Sequence, residues 1–192
     1  MKNIFWILLV GTSICVSACF DGSKPTCTIV RFNKKETFWI DTYRKGDTLL
    51  FSSVANNKID TIFIIDKILH IPDGNCNSLV SDFDTEFCRI DYRYKNGDTL
   101  YDNDYFVQLE KSGLMSKPVL RVYDLEFNDG ELKDTTVILK SNLKLDDCYS
   151  FHRKDCHIGW SDFKLKSFVW SRSEGLVLFV GLNGEKFELI SK

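Results

Sequence analysis

The sequence is poor in residues that favour helices. Its 192 residues include only two alanines, Ala18 and Ala55, and one glutamine, Gln108. Both residue types rank high in helix propensity, whereas aromatic and β-branched residues favour strands. Aromatic residues make up 14% of the chain, and 15 of them are phenylalanines. The composition argues against a helical bundle and predicts a single β-rich domain with a large aromatic core.

The chain also lacks a surplus of positive charge. It carries 25 Lys and Arg against 27 Asp and Glu, which gives a net charge of −2. Nucleic-acid-binding domains are basic, and segments that bind anionic lipid carry clusters of Lys and Arg along the sequence. We therefore expect no nucleic-acid partner, and the sequence contains no polybasic segment.

The first residues have the pattern of a secretory signal peptide. Lys2 is followed by the uncharged, apolar stretch Ile4–Ile14 and then by Val16-Ser17-Ala18, which suits signal peptidase. A membrane-spanning helix needs about 20 apolar residues, so this stretch is short for that role.

The residue after Ala18 is Cys19, and Val16-Ser17-Ala18-Cys19 resembles the lipobox of bacterial lipoproteins, although Leu is commoner than Val at its first place. The resemblance implies cleavage before Cys19, a diacylglycerol thioether on its sulfur and an acylated amine. Ordinary secretory cleavage after Ala18 and an uncleaved anchor are the alternatives. The lipobox interpretation predicts a signal peptide at 1–18, a lipidated tether at 19–26 and one β-rich domain at 27–192. Loss of Lys2 makes the net charge −3.

Two or three acyl chains hold a protein firmly at a bilayer. We therefore expect a lipid-anchored protein of the bacterial cell envelope, at the outer membrane and facing the periplasm or the cell surface. Its partners would be the membrane and an envelope protein or ligand that the sequence does not identify.

Five further cysteines belong to the predicted domain. An oxidising compartment permits disulfides, and the odd number leaves at least one cysteine outside such pairs. Two pairs lie close in sequence and are disulfide candidates: Cys76 with Cys88, and Cys148 with Cys156. Unpaired thiols are the alternative for the second pair, and a zinc site with the neighbouring His152 and His157 matches no standard ligand spacing. We predict no metal and no cofactor.

Short apolar runs separated by Gly, Asn and Asp predict hairpins, because Asn-Gly and similar pairs tolerate the backbone of tight turns. The fold class that we predict is all-β, with antiparallel, hairpin-connected sheets forming a sandwich or a curved half-barrel. One short helix is allowed at 77–83, and the strand at 176–182, apolar on both faces, is predicted to be central. The predicted strands are 27–33, 37–42, 48–54, 59–68, 85–94, 104–110, 118–127, 134–140, 145–151, 163–170, 176–182 and 185–190.

The C-terminal segments Trp170–Val177 and Asn183–Leu189 resemble the closing hairpin of many small uncharacterised bacterial lipoproteins. An aromatic-Ser segment leads there into Gly-Leu-Val, and a Gly-Glu-x-aromatic-x-Leu strand follows. The resemblance implies an antiparallel β domain outside the cytoplasm and no particular activity.

Aromatic side chains are the candidate binding residues. Tyr92 and Tyr94 share one face of a predicted strand, with Arg93 on the other face, and Trp160 lies in another segment. If exposed, these rings would form a stacking platform, and packing in the core is the alternative.

Catalytic motifs are absent from the sequence. It contains no Gly-x-Ser-x-Gly, no His-Glu-x-x-His and no phosphate-binding glycine loop. His70, at a predicted strand end, is interpreted as structural rather than catalytic. A binding or structural envelope module is therefore favoured over an enzyme. The alternatives are a carrier of lipid or another hydrophobic ligand inside a curved sheet, and a glycan-acting hydrolase.

Lipidation at Cys19 can be tested by labelling cells that express the chain with radioactive palmitate. The Cys19→Ser variant is expected to lose the label, because the variant has no thiol for the thioether. Cys15→Ser is the matched control and should keep the label, since bulky Ile14 precedes Cys15. Label retained by Cys19→Ser would contradict the lipobox interpretation.

Overall fold

The computed structural model describes residues 27–56, 58–74, 83–96, 99–111, 119–127, 133–159 and 164–192. Strands dominate these residues. One α-helix of four residues and one 3-10 helix, Arg153–Asp155, are also present in this part of the chain. In chain order the elements are β1 (Thr28–Val30), α1 (Phe38–Asp41), β2 (Thr48–Ser53), β3 (Ile59–His70), β4 (Phe83–Thr85), β5 (Phe87–Asn96), β6 (Thr99–Glu110), β7 (Val119–Val122), β8 (Leu125–Phe127), β9 (Lys133–Ile138), β10 (Lys144–His152), β11 (His157–Ile158), β12 (Leu165–Ser171), β13 (Gly175–Gly181) and β14 (Lys186–Ser191).

Twelve of these strands form one antiparallel sheet. Its order is β11-β8-β7-β6-β5-β3-β2-β14-β13-β12-β10-β9. The two remaining strands, β1 and β4, form a small parallel pair in which Thr28 lies opposite Phe83. The predicted all-β class with antiparallel hairpins is confirmed. The main sheet is continuous from β11 to β9.

The sheet curls until strands from its two ends pack against each other. Phe127 of β8, near one end, contacts Phe151 of β10, near the other end, with ring centroids 5.0 Å apart. Phe151 in turn stacks on Phe168 of β12 at 4.5 Å. The inner face of the curled sheet is therefore a closely packed aromatic core.

The helix α1 lies where a strand was predicted at 37–42, so that prediction is wrong. Trp39 and Ile40 are consecutive residues and both are buried. A strand would direct them to opposite faces, whereas one helical turn brings both against the core. The Trp39 ring centroid lies 5.7 Å from that of Tyr149 and 5.9 Å from that of Trp170.

Most other predicted strands are confirmed within a few residues. The predicted central strand is β13, which lies between β12 and β14 and buries its first five residues. The predicted strand at 118–127 divides into β7 and β8, because Tyr123, with a φ of 52°, turns the chain there. A helix was also predicted at 77–83. Residues 77–82 lie outside the described residues, and Phe83 belongs to β4.

Tyr43 connects the start of the domain to its C-terminal hairpins. Its side chain is fully buried, and its hydroxyl oxygen accepts a hydrogen bond of 2.6 Å from the backbone N–H of Leu176. Its ring packs edge-on against Phe106 and Trp170. Gly175 has a φ of +81°, and a Cβ there would lie 2.3 Å from the Tyr43 hydroxyl oxygen. This position therefore requires glycine for its backbone and for the close approach of Tyr43.

No helix in the described part of the chain is long and apolar enough to cross a membrane.

The requirement for glycine can be measured with a matched pair of variants. Gly175 and Gly184 both have positive φ, but a Cβ at Gly184 would meet nothing within 4 Å. Gly184→Ala is expected to cost about 1 kcal/mol of unfolding free energy through backbone strain alone. Gly175→Ala should cost about 1–3 kcal/mol more, because the methyl group displaces Tyr43. Urea denaturation measures both costs, and equal costs would contradict the close contact.

Candidate functional site

A cavity of about 200 Å³ lies at the end of the sheet where β3 begins, β5 ends and the β13–β14 hairpin turns. We call it the Asp60 pocket. Phe179 and Phe187 form its apolar wall, and their rings stack with centroids 4.9 Å apart. Its polar lining comprises Lys58, Asp60, Tyr94, Lys164, Asn183 and Glu185.

Asp60 is the buried polar group of this pocket. Its side chain is 1% exposed, and one carboxylate oxygen, Oδ2, accepts a hydrogen bond from the Tyr94 hydroxyl. The other oxygen, Oδ1, has no hydrogen-bond partner among the described residues and lies 3.7 Å from Nζ of Lys58. Buried carboxylate oxygens normally accept hydrogen bonds, so Oδ1 is a buried, unsatisfied acceptor whose nearest charged neighbour is the Lys58 ammonium.

The surroundings of Asp60 make its ionisation less favourable than in water. Burial raises the pKa of this carboxyl, because a charge loses hydration in the interior, while the Tyr94 hydrogen bond and the Lys58 charge act in the opposite direction. The net pKa is raised above its ordinary value. The polarity of this interior group therefore depends on pH.

Lys58 lies between two carboxylates. Its Nζ is 4.0 Å from Oε2 of Glu185 as well as 3.7 Å from Asp60, and it lies 5.2 Å above the centre of the Phe187 ring. Glu185 also accepts a 3.1 Å hydrogen bond from the side-chain amide of Asn56. Burial of Glu185 opposes its ionisation, but hydrogen bonds from Ser53 and Asn56 outweigh burial and lower its pKa.

The pocket can therefore both donate and accept hydrogen bonds while its formal charges balance. The lining contains two ammonium groups, those of Lys58 and Lys164, and two carboxyl groups, those of Asp60 and Glu185. The turn of the hairpin is fixed by Asn183, whose side-chain oxygen accepts the backbone N–H of Glu185 at 3.0 Å. The lining thus combines hydrogen-bond donors and acceptors with equal numbers of positive and negative groups.

The predicted aromatic platform is not exposed. Tyr92 is fully buried and Tyr94 is 3% exposed, so the platform interpretation is wrong for both residues. Their shared face is the inner face of the curled sheet, where Tyr92 packs against Phe106 and Tyr123. Arg93 is exposed on the opposite face, as predicted. Trp160 lies outside the described residues.

The two predicted disulfides are absent. Cys88, Cys148 and Cys156 are free thiols, and burial raises the pKa of each to about 11. Cys148 lies within β10, which continues to His152 and rises about 3.3 Å per residue. The strand therefore carries the chain roughly 13 Å away from Cys148 by His152, before the 3-10 helix that leads to Cys156.

Cys27 is the disulfide-bonded cysteine of the described chain, and its partner lies outside the described residues. Cys76, the other half of one predicted pair, also lies outside them. The described residues contain no group of three or more His, Cys, Asp or Glu side chains placed to hold a metal ion.

His70 has the contacts of a structural histidine. It ends β3, its Nε2 lies 3.0 Å from Oδ1 of Asp84, and its ring stacks on Phe87. The other oxygen of Asp84 accepts the backbone N–H groups of Asp73 and Gly74. Asp84 therefore ties the end of β3 to the segment that follows it.

Comparison of the chain with protein-family models, curated protein sequences and solved structures finds no match. The fold and the pocket must therefore be interpreted from their own geometry.

Asp60, Lys58 and Glu185 were not among the residues predicted from the sequence. One signal was present: Asp60, Ile62 and Ile64 alternate along β3 and all three are buried. A single acidic residue on the inward face of an apolar strand could therefore have identified Asp60. Glu185 and Lys58 are surface-type residues in turn-rich segments, and nothing local sets them apart.

The raised pKa of Asp60 predicts a pH-dependent effect of Asp60→Asn. Folding with an ionised Asp60 is unfavourable, so wild type loses stability as pH rises from the unfolded carboxyl pKa of about 3.9 through the higher folded value. Asparagine does not ionise. The free energy of unfolding of Asp60→Asn, relative to wild type, should therefore increase between pH 3 and pH 7.

Urea denaturation over this pH range tests the prediction. Asp66→Asn is the control, because it removes a half-exposed carboxylate from the same strand. A relative stability of Asp60→Asn that is flat or falls with rising pH would show that the carboxyl is well accommodated in its charged form.

Proposed function

We propose that this chain is a lipid-anchored protein of the bacterial cell envelope that works as a binding module. Its Asp60 pocket takes a small polyhydroxylated ligand, such as one residue of an envelope sugar. The single observation that carries the binding role is the buried Oδ1 of Asp60, which accepts no hydrogen bond within the described chain. A ligand hydroxyl would satisfy it.

A hydroxyl group suits the remaining pocket chemistry. Lys58, Lys164 and the amide of Asn183 can donate to hydroxyl oxygens, while Asp60 and Glu185 can accept from them. The balanced charges give no preference for an anion or a cation. The stacked Phe179 and Phe187 are buried and form a fixed apolar backing behind these polar groups.

The packing of the inner sheet face favours this function over the carrier. A carrier would leave an apolar lumen within the curved sheet. The rings of Tyr43, Phe106 and Trp170 occupy that interior, with centroids 5.4–5.7 Å apart between Tyr43 and its two neighbours. The ligand site is therefore placed at the end of the sheet.

The lipid anchor that we propose would hold the domain near the membrane at the point where the chain enters it. The tether 19–26 spans at most about 28 Å when extended, so a lipid on Cys19 would hold the domain close to the bilayer. The first strand is fixed by contacts of Cys27 with the Gly74 carbonyl and of Arg31 with the Pro72 carbonyl. Beside them, Ile29 is 46% and Ile71 is 60% exposed.

Ligand binding is tested by recording protein NMR spectra during titration with glucose, galactose and N-acetylglucosamine. We expect at least one sugar to shift signals of the pocket residues. Asp60→Asn should weaken that binding about tenfold or more, because a hydrogen bond to a charged group contributes about 1.5–3 kcal/mol. Asp66→Asn removes the same charge from the same strand outside the pocket and should leave the affinity unchanged.

Three results would count against the proposed sugar site. No shift with any of the three sugars, or equal loss in Asp60→Asn and Asp66→Asn, would contradict a sugar site at Asp60. Shifts of the pocket signals with glycine or inorganic phosphate alone would show a site for ions instead.

A further inference from the structure

A second concave surface lies outside the Asp60 pocket. It is a groove of about 560 Å³ formed where β10 ends, at the 3-10 helix and along β11 and β12. Its lining residues are His152, Arg153, Lys154, Ile158 and Lys166. Every ionisable side chain in this lining is a base, and we call it the basic groove.

One base of the groove is held rigidly. Nη1 of Arg153 donates to Oδ2 of Asp124 at 2.5 Å and to the carbonyl of Leu165 at 2.9 Å. Asp124 is buried, and its other oxygen accepts the backbone N–H of Leu165. Arg153 therefore joins the β7–β8 turn to the start of β12 and fixes the shape of the groove, while Asp124 offsets its charge.

The other bases project without acidic partners. His152, Lys154 and Lys166 are exposed, and none of them makes an ion pair within the part of the chain that the structure describes. Asp155 lies on the same 3-10 helix but does not line the groove. The molecule as a whole is acidic, so this surface has a local charge opposite to the net charge. Unpaired bases converging on one concavity attract an anion.

The groove also has an apolar member. Ile158 is 63% exposed, on the short edge strand β11. A site that offers several N–H donors beside an exposed aliphatic side chain suits an anionic group that is attached to a hydrocarbon or glyceryl part. A phosphate suits the donors, because its oxygens accept several charge-assisted hydrogen bonds at once.

We propose that the basic groove binds the phosphate of an anionic phospholipid headgroup, with Lys154 and Lys166 on the phosphate and Ile158 toward the glyceryl chain. A free phosphate has the same oxygen chemistry but no part that contacts Ile158. The short tether, on the proposed lipid anchor, would present such headgroups at high local concentration. The chemistry of the groove itself does not depend on that anchor.

The proposal is tested by sedimentation with lipid vesicles, using Cys19→Ser protein that begins at residue 19, so that binding depends neither on acyl chains nor on the apolar stretch Ile4–Ile14. Vesicles containing phosphatidylglycerol are compared with vesicles of phosphatidylcholine alone. The double variant Lys154→Glu/Lys166→Glu is expected to bind the anionic vesicles at least tenfold more weakly. The matched control Lys34→Glu/Lys35→Glu makes the same charge change at two exposed lysines outside the groove and should lose less than threefold.

Protein NMR with glycerol phosphate and with inorganic phosphate provides a second measurement on the same variants, and thermal unfolding checks that they fold. Glycerol phosphate should shift groove signals in wild type and in the control, but not in the groove variant. Equal loss of vesicle binding in both double variants would overturn the proposal, since it would show unspecific attraction. Groove shifts with inorganic phosphate but no preference for anionic vesicles would also overturn it. Either failure leaves lipidation of Cys19 and sugar binding at Asp60 unaffected, because those have separate tests.

Discussion

The hydrogen bond from the Leu176 backbone to the Tyr43 hydroxyl is the contact on which the curled sheet depends. It joins residues 133 positions apart in the chain. Tyr43 follows α1, and Leu176 belongs to β13, near the middle of the second half of the sheet. The ring between them packs against β6 and β12 as well. One side chain thus holds the inner faces of distant strands together, and its position requires a residue without a side chain at Gly175.

The aromatic packing inside the curled sheet explains why both proposed binding sites lie away from its middle. Trp39, Tyr43 and Trp170 close the middle of the curled sheet with ring-to-ring contacts below 6 Å. The two concave surfaces with polar linings lie beyond this aromatic packing. Asp60 lies at one of them, at the start of β3, where its strand neighbours Ile62 and Ile64 continue the apolar face. The basic groove is the other, beyond the end of β10.

Local patterns predicted much of the fold, because hairpins depend on turn residues and on alternation within a few positions. The confirmed central strand β13 is an example. The helix α1 could not be predicted this way, since Phe38–Asp41 has strand-type composition and becomes helical only because tertiary packing buries two consecutive residues. The free thiols of Cys148 and Cys156 show the same limit: proximity in sequence does not bring side chains together when a strand runs between them.

The two sites also differ in how their charges are arranged, which explains why neither followed from the net charge. In the Asp60 pocket, Lys58 lies within 4.0 Å of two carboxylates, so opposite charges are adjacent and the binding that we propose there would depend on hydrogen bonds. In the basic groove, the exposed lysines come from the 3-10 helix and from β12, which are separate in the sequence and meet only in the folded chain. A polybasic segment was absent from the sequence, yet the fold assembles a basic surface from separate residues. Exposed charges of this kind are screened by salt, whereas the partly buried pairs of Lys58 with Asp60 and Glu185 are screened less. Raising the ionic strength should therefore weaken binding at the groove and leave binding at Asp60 nearly unchanged, which separates the two sites in one protein.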